Sequence, residues 1–217
     1  MRSNRGLFIT FEGVEGCGKS TQTDLLVAWL RERGYEVVLT REPGGTPLGE
    51  RLRDALLDVG GSMVAETELF LYLASRAEHT AEVILPAVER GSVVISDRYA
   101  DASVAYQGGG RRLGADLVRS LNQVATRSVK PDVTFLLDLD PEEGLARLDG
   151  RTTGGTRDRI ERETIEFHQR VRETYLAEAE REPERFVVID ASEDVEMIAR
   201  QIPAELEERL TSSGDDN

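Results

Sequence analysis

A glycine-rich segment between a predicted strand and a predicted helix constrains this chain more than any other feature. It reads Gly13-Val-Glu-Gly-Cys-Gly-Lys-Ser20 and matches the phosphate-binding loop pattern G-x-x-x-x-G-K-[ST]. The apolar run Leu7–Phe11 precedes it and the helical pattern Ser20–Arg33 follows it. In that context the glycines let backbone N–H groups surround phosphate oxygens at a helix N-terminus. A chance glycine-rich turn, the alternative, explains neither the spacing nor the context.

This loop predicts a nucleotide site with assigned roles for its side chains. Lys19 is expected to reach the β- and γ-phosphates of ATP, and the Ser20 hydroxyl is expected to bind Mg²⁺. A buried strand elsewhere ends in Ser-Asp97-Arg98, where Asp97 would complete the Mg²⁺ site; a surface ion pair is the alternative for Asp97. The predicted ATP-binding residues are Gly13, Val14, Glu15, Gly16, Cys17, Gly18, Lys19, Ser20 and Thr21.

Short apolar runs alternate with longer amphipathic segments, which predicts an α/β protein. The runs are continuous rather than alternating, as in strands that are buried on both faces of a parallel sheet. We therefore expect a P-loop NTPase fold, a five-stranded parallel sheet flanked by helices, with a mobile lid. The predicted strands are Leu7–Phe11, Glu36–Thr40, Ser92–Ser96, Val133–Leu139 and Phe186–Ile189, and the helical patterns include Ser20–Arg33, Glu66–Arg90, Gly114–Arg127 and Arg162–Arg181.

The chain is predicted to form a single domain over residues 1–210. The segment Gly150–Arg159 is rich in Gly, Thr and Arg and separates two helical patterns, so we expect a lid at about 150–160. Residues 211–217 contain no apolar side chain and are predicted to be a disordered tail.

Charge and hydropathy limit the partners and the location. The net charge is −14, which disfavours polynucleotide binding, and no apolar run is long enough to span a membrane. One cysteine and no signal peptide favour a cytoplasmic protein. Only two of the 27 basic residues are lysines. An acidic, lysine-poor chain resembles proteins of halophilic microbes, although an ordinary acidic cytosolic protein is the alternative.

Arginines recur at the predicted site edge and in the predicted lid. They suggest phosphate binding as a set, because guanidinium groups pair with phosphate oxygens in bidentate fashion. For any single member, a solvated surface ion pair is the alternative. The set comprises Arg41, Arg53, Arg76, Arg98, Arg151, Arg157 and Arg159.

Several motifs together resemble the thymidylate kinase family. They read FEGVEGCGKST, TREPGGTPLGERLR, LFLYLASRAEHT, SDRYADASVAYQGGGR and DRIERE, in the family's order and spacing. The resemblance extends from Leu7 to about Asp190. It implies a kinase that transfers phosphate from ATP to dTMP with Mg²⁺, and a homodimer formed by helix packing.

The resemblance also implies roles for residues in an acceptor site opposite ATP. Arg41, Arg53 and Arg98 match arginines that bind the dTMP phosphate. Tyr72 replaces the usual Phe that stacks on thymine, and Arg76 matches the residue that bonds O4. The remaining matches are Ser103 and Gln107 near the base, Tyr106 near the sugar, Glu42 near metal and phosphates, and Glu15 near the 3′-hydroxyl. The alternatives are a core aromatic for Tyr72, a solvated loop amide for Gln107 and a solvent-pointing side chain for Glu15.

The position of the catalytic arginine divides the family into two groups. One group carries a basic residue in the P-loop, whereas Val14 to Cys17 contain none here. The resemblance therefore implies the lid-arginine group, with Arg151 and Arg157 acting beside Lys19 and Arg98. Arg159 could instead position the helix that closes the lid.

Other functions remained open from the sequence. A kinase for another nucleoside monophosphate such as dUMP is the nearest alternative. A P-loop switch that hydrolyses NTP is a second, although the N-K-x-D stretch that reads guanine is absent from the sequence.

Overall fold

The computed structural model describes residues 5–58, 60, 62–151 and 157–212, without the side chains of 151 and 208–212. Its centre is a five-stranded sheet in which every pairing is parallel and the order is β2-β3-β1-β4-β5. All five predicted strands are present, each within about a residue of its predicted bounds. They are β1 Phe8–Glu12, β2 Val37–Arg41, β3 Val93–Asp97, β4 Val133–Asp138 and β5 Phe186–Asp190.

Helices cover the sheet, as the strand–helix alternation predicts. The P-loop lies between β1 and α1, in the context that its motif requires. The helices are α1 Lys19–Glu32, α2 Pro47–Leu57, α3 Ala65–His79, α4 Leu85–Glu89, α5 Ala100–Ser103, α6 Ala115–Ala125, α7 Pro141–Arg151, α8 Ile165–Arg181 and α9 Val195–Ser212. None of these described helices combines the length and the apolar composition needed to cross a bilayer.

Several predicted boundaries need correction. The helical pattern Glu66–Arg90 is interrupted by a π-helical turn over Thr80–Ile84, just before Pro86, which cannot donate a backbone hydrogen bond. Residues after Asp97, for which no helix is predicted before Gly114, are mostly helical: α5 runs into a second π-helical segment, Val104–Gly110. That segment packs against α8, so tertiary contacts override its glycine content.

The predicted lid and tail are described only in part. Helix α7 includes Gly150 and Arg151, the first two positions of the predicted lid, and residues 152–156 lie outside the described part. Helix α9 continues through Ser212, so positions 211 and 212 belong to a helix, and 213–217 lie outside the described part. Polar composition alone does not end a helix whose preceding turns pack on the core, as Ile198, Ile202 and Leu206 do here.

The parallel sheet brings the carboxyl ends of its strands to one edge, where α/β proteins bind ligands. Phe11 of β1 and Arg41 of β2 both lie in register with Asp97 of β3. The central strands are buried along their length, which explains their continuous apolar sequence. The edge strands are partly exposed: the exposed fraction is 43% for Leu39 and 50% for Val188.

Candidate active site

A cavity opens at the carboxyl ends of β1, β2 and β3. It brings together residues from the P-loop, the β2–α2 loop, α3, the β3–α5 turn and the segment after the predicted lid. The lining includes the predicted residues Glu15, Gly16, Lys19, Arg41, Glu42, Arg53, Tyr72, Arg76, Asp97, Arg98, Ser103, Tyr106 and Gln107, together with Asp158, Ile160 and Glu161.

The P-loop packs closely against helix α7. A Cβ added at Gly16 would lie 2.0 Å from the carbonyl oxygen of Gly144, so no larger residue fits between loop and helix. The Lys19 ammonium lies inside the loop and donates to the carbonyls of Gly13 and Val14 at 3.0 and 2.9 Å. It is therefore aligned by the backbone that would surround a phosphate.

Glu15 turns away from its own loop towards Arg98 and Tyr106. Its Oε1 accepts hydrogen bonds from Arg98 Nη2 at 2.9 Å and from the Tyr106 hydroxyl at 2.6 Å. Arg98 also donates to the Gly13 carbonyl and to the Tyr175 hydroxyl. Its backbone lies in the left-handed region at φ 72°, which is costly for a non-glycine residue and typical of functional turns.

The Glu15 carboxylate is ionised although it is buried. Burial by itself raises its pKa, but His168, Arg98 and Lys19 together lower that pKa to about 2. His168 Nδ1 lies 3.2 Å from Oε2, an oxygen without an aligned hydrogen-bond donor among the described residues. One oxygen of Glu15 is thus fixed by Arg98 and Tyr106, and the other lies against the His168 ring.

Arginines form one end of the cavity, called here the phosphate end. Arg41 donates to Glu50 Oε2 at 3.0 Å, with 54% of its side chain exposed. Arg53 donates to the Pro43 carbonyl at 3.0 Å. Arg98 lies between them and the P-loop. The predicted metal residue Asp97 shares this end of the cavity.

The opposite end, called here the base end, is built on α3. Glu68, Tyr72 and Arg76 follow at intervals of four and therefore share one face of the helix. Arg76 is 1% exposed, and four of its five N–H groups are bound by Glu42, Ser103, Asn122 and the Tyr99 carbonyl. One Nη2 donor is left for a ligand. Burial, with Glu68 adding to it, raises the pKa of Tyr72 to about 12, so its hydroxyl stays neutral.

Gln107 is buried at this base end rather than solvated. Its Nε2 donates to Glu68 Oε1 at 2.7 Å. Glu68 also accepts from Arg111 Nη2 at 3.0 Å and from Arg159 Nη1 at 2.6 Å. The NH₂ group of Gln107 thus has a protein partner before any ligand binds, and the Ser103 hydroxyl accepts from Arg76.

Glu42 lines the cavity, but both of its oxygens have internal partners. Oε2 accepts from Arg76 Nε at 2.8 Å, and Oε1 lies 2.9 Å from His79 Nδ1. The other ring nitrogen of His79 lies 2.7 Å from the Thr40 hydroxyl. This arrangement favours a supporting role for Glu42, holding Arg76, over direct contact with a metal.

The predicted lid arginines are only partly described. The side chain of Arg151 lies outside the described part. Arg157 pairs with Asp149 through two hydrogen bonds, of 3.1 and 2.6 Å, and does not line the cavity. Arg159 donates to Glu68 Oε2 and to the Leu56 carbonyl. A catalytic role for Arg151 and Arg157 stays a prediction.

Sequence reasoning missed several supporting residues. Tyr175 bridges Arg98 and Glu12, donating to Glu12 Oε2 at 2.7 Å. The only two histidines of the chain, His79 and His168, each lie against a cavity glutamate. The spacing of seven between His168 and Tyr175 places both on one face of α8, which is the one signal the sequence offers.

The fold and the loop place the chain in the P-loop class of α/β proteins, with an arginine-lined cavity beside the loop. Comparison with known proteins gives the family. The family model for thymidylate kinase matches residues 11–202, and the chain belongs to this family.

Individual members of the family are similar to this chain over nearly its whole length. A thymidylate kinase of Pseudomonas putida is 51% identical over 92% of this chain and 94% of its own. A thymidylate kinase of Halothermothrix orenii is 49% identical over 91% of this chain and 95% of its own. The crystal structure of thymidylate kinase from Ehrlichia chaffeensis matches 94% of this chain and 99% of its own, with a TM-score of 0.76 and 34% identity. The family resemblance of the motifs is thereby confirmed.

Proposed function

We propose that this chain transfers the γ-phosphoryl group of ATP to dTMP and releases dTDP and ADP. The observation that carries the proposal is the shared cavity, because Lys19 lines the same space as Arg76 and Gln107. Family membership supports the same reaction, since the matched relatives are named thymidylate kinases. A P-loop switch would have no use for a second nucleotide site opposite the loop.

The two ends of the cavity suit the two ends of dTMP. At the phosphate end, Arg41, Arg53 and Arg98 offer charged donors to the acceptor phosphate. At the base end, Tyr72 offers an aromatic face. A phosphate clamp, an aromatic platform and a few directional groups are what a nucleoside monophosphate requires.

Catalysis then rests on positioning and charge. An oxygen of the acceptor phosphate attacks the γ-phosphorus, and the bond from that phosphorus to the β,γ-bridging oxygen breaks as ADP leaves. No side chain has to form a covalent intermediate. Lys19 and Arg98 supply positive charge to the transferred group, and both are already oriented by P-loop carbonyls.

Ser20 and Asp97 are the residues that we expect to hold Mg²⁺. Asp97 Oδ1 is buried without a hydrogen-bond partner among the described residues, and Ser20 is exposed at the start of α1. Mg²⁺ prefers oxygen ligands and is usually held by one or two protein groups together with substrate phosphates, so this donor set fits. When bound, the ion would neutralise phosphate charge.

Glu15 is proposed to accept a hydrogen bond from the 3′-hydroxyl of dTMP. Glu15 lines the cavity, and one oxygen of its ionised carboxylate, Oε2, has no hydrogen-bond partner among the described residues and lies 3.2 Å from His168 Nδ1. An ionised carboxylate only accepts hydrogen bonds, so a sugar hydroxyl is a suitable ligand. Tyr106 holds the other oxygen and would lie beside the sugar.

The lid is proposed to supply further positive charge through Arg151 and Arg157. None of the variable P-loop positions is basic. For Arg157 the proposal requires exchange of its Asp149 partner, which is 63% exposed and therefore bound weakly. Closure of such a lid would exclude water and suppress hydrolysis of ATP.

A homodimer is supported by exposed apolar side chains on two helices that pack together. Thr67, Phe70 and Ala74 form an exposed stripe on α3, where Phe70 is 59% exposed. On α6, Leu117 and Val124 are 52% and 79% exposed. A second copy of the chain would cover this apolar face.

Cytoplasmic location, a halophilic source and a single domain over residues 1–210 remain parts of the proposal. Charge supports the halophilic source: 41 acidic residues stand against 27 basic ones, of which only two are lysines. Such a surface stays hydrated at high salt. Activity and thermal stability that are as high in low salt as in multimolar KCl would contradict the halophilic source.

The test of the reaction is ADP release with ATP, Mg²⁺ and a panel of monophosphates at low and multimolar KCl. We expect dTMP to be the preferred acceptor, with dUMP second. ADP formed equally without any acceptor would contradict the kinase and favour a switch. Preference for AMP or CMP would contradict the thymine assignment.

A further inference from the structure

Glu68 is a fully buried carboxylate that no step of the reaction uses. It is 0% exposed and lies on α3, one helical turn before Tyr72. Three side chains donate to it, Gln107, Arg111 and Arg159, and they come from two segments far apart in the chain. With two guanidinium groups in contact, the carboxylate is ionised, and these partners lower its pKa against the effect of burial.

The charge of Glu68 decides which way the Gln107 amide points. An ionised carboxylate has no hydrogen to donate, so the amide group at 2.7 Å from Glu68 Oε1 must be the NH₂ group. The opposite atom of the amide, the carbonyl Oε1, has no hydrogen-bond partner among the described residues, and Gln107 lines the cavity. The base end therefore offers an acceptor from Gln107.

A second residue of the cavity lining, Arg76, supplies a donor. Arg76 has one Nη2 hydrogen left after its internal bonds and also lines the cavity. The cavity lining thus offers both an acceptor and a donor, the pair required by a pyrimidine that carries N3–H and O4, as thymine and uracil do. Cytosine carries the reverse pair, an N3 acceptor and an N4 amino donor, so like groups would meet in a buried site.

We propose that Glu68 is the specificity-determining residue that makes this site select 4-oxo pyrimidines, by fixing the orientation of the Gln107 amide. Glu68 acts through Gln107 and is a positioning residue rather than a catalytic one. The proposal rests on the assignment of this cavity end to the base of dTMP. An amide free to flip would present either a donor or an acceptor to the base, whereas the Gln107 amide held by Glu68 presents only its carbonyl.

The test is the variant Glu68→Gln, whose amide can donate as well as accept and so releases the Gln107 amide. We expect kcat/KM to fall at least tenfold for dTMP and dUMP alike, and the preference for dTMP over dCMP to fall by more, while KM for ATP is unchanged. Glu68→Asp keeps an acceptor-only group and should keep the preference for dTMP over dCMP.

Glu163→Gln is the matched control. Glu163 bonds the same guanidinium, Arg111 Nη1, at 2.6 Å, but it does not contact Gln107. It should leave the preference between dTMP and dCMP unchanged. An unchanged preference in Glu68→Gln, or an equal loss in Glu163→Gln or in Glu68→Asp, would overturn the proposal.

The proposal stays testable if Glu68→Gln does not fold. In the wild-type protein, ¹⁵N NMR should find the Gln107 side-chain NH₂ protected from solvent exchange with and without dTMP. Loss of that protection when dTMP binds would overturn the proposal. A wild-type protein that is inactive on dTMP would instead contradict the proposed function, so the two failures are distinguishable.

Discussion

The two ends of the cavity use arginine in different ways. Arg76 at the base end is 1% exposed and is bound on four sides by protein groups. Arg41 at the phosphate end is 54% exposed and has one carboxylate partner, itself 44% exposed. The base end is thus fixed before ligand arrives, whereas the phosphate end keeps charge that is free to rearrange. A base is recognised by hydrogen bonds of fixed direction, whereas a dianionic phosphate is attracted by positive charge from many directions.

The largest effect should come from the P-loop at the phosphate end. Lys19→Met removes the charge opposite the transferred phosphoryl group, and we expect kcat to fall about 10³-fold. Steady-state ADP release with dTMP measures it. The matched control is Lys130→Met, which removes the only other lysine, a 65% exposed partner of Glu182. Equal losses in both variants would mean that charge at the phosphate end is not what drives the reaction.

The second-largest effect should come from removing the two predicted lid arginines, which we propose to add positive charge at the phosphate end. Arg151→Ala combined with Arg157→Ala should lower kcat about 10²-fold while KM for dTMP changes little, because charge is needed mainly in the transition state. Asp149→Ala, which frees Arg157 from its partner, is the control and should not lower kcat. An unchanged kcat in the double variant would exclude lid-arginine catalysis.

The same substitution at the two ends should give opposite results. Arg76→Met leaves Glu42 buried without its guanidinium partner, and we expect the free energy of unfolding to fall by about 3–5 kcal/mol. Arg41→Met should change that free energy by less than about 1 kcal/mol but raise KM for dTMP. Urea unfolding and steady-state kinetics of both variants test the contrast. Similar stability losses would show that the two ends do not differ as described.

Glu15 lies between the two ends, and its effect should be the smallest. Glu15→Gln should weaken dTMP about tenfold while ATP binding is unchanged, because the amide is a poorer acceptor for a hydroxyl. Calorimetric titration of each nucleotide measures the two affinities. A larger loss for ATP would assign Glu15 to the donor site instead.

The lowered pKa of Glu15 predicts that the free energy of unfolding depends on pH. Its pKa falls from the ordinary 4.5 to about 2 on folding. The ionised form therefore stabilises the folded chain above about pH 4.5, and this contribution is lost as the pH falls towards 2. Urea midpoints measured from pH 6 down to pH 3.5 should fall more steeply in the wild type than in Glu15→Gln. Parallel slopes would contradict an ionised Glu15.

Much of this protein can be predicted from local sequence. The P-loop, the five strands and the position of Asp97 at a strand end follow from short patterns, because backbone geometry limits what such patterns can form. The acidic residue in the P-loop can be recognised as unusual from the sequence, but its pairing with Arg98 and His168 cannot. Helix bounds were missed where packing overrides composition, as at Val104–Gly110 and at the end of α9.

The sequence by itself determined the class of the protein, its parallel sheet and the loop that would bind phosphate, since these depend on residues adjacent in the chain. Only the tertiary structure decided which polar groups have partners within the protein and which can bind a ligand. Arg41 and Arg76 are the same residue type, and their roles differ because their partners differ. The amide of Gln107 is oriented by a carboxylate 39 residues away. Such orientation is a property of contacts formed on folding, and no local pattern encodes it.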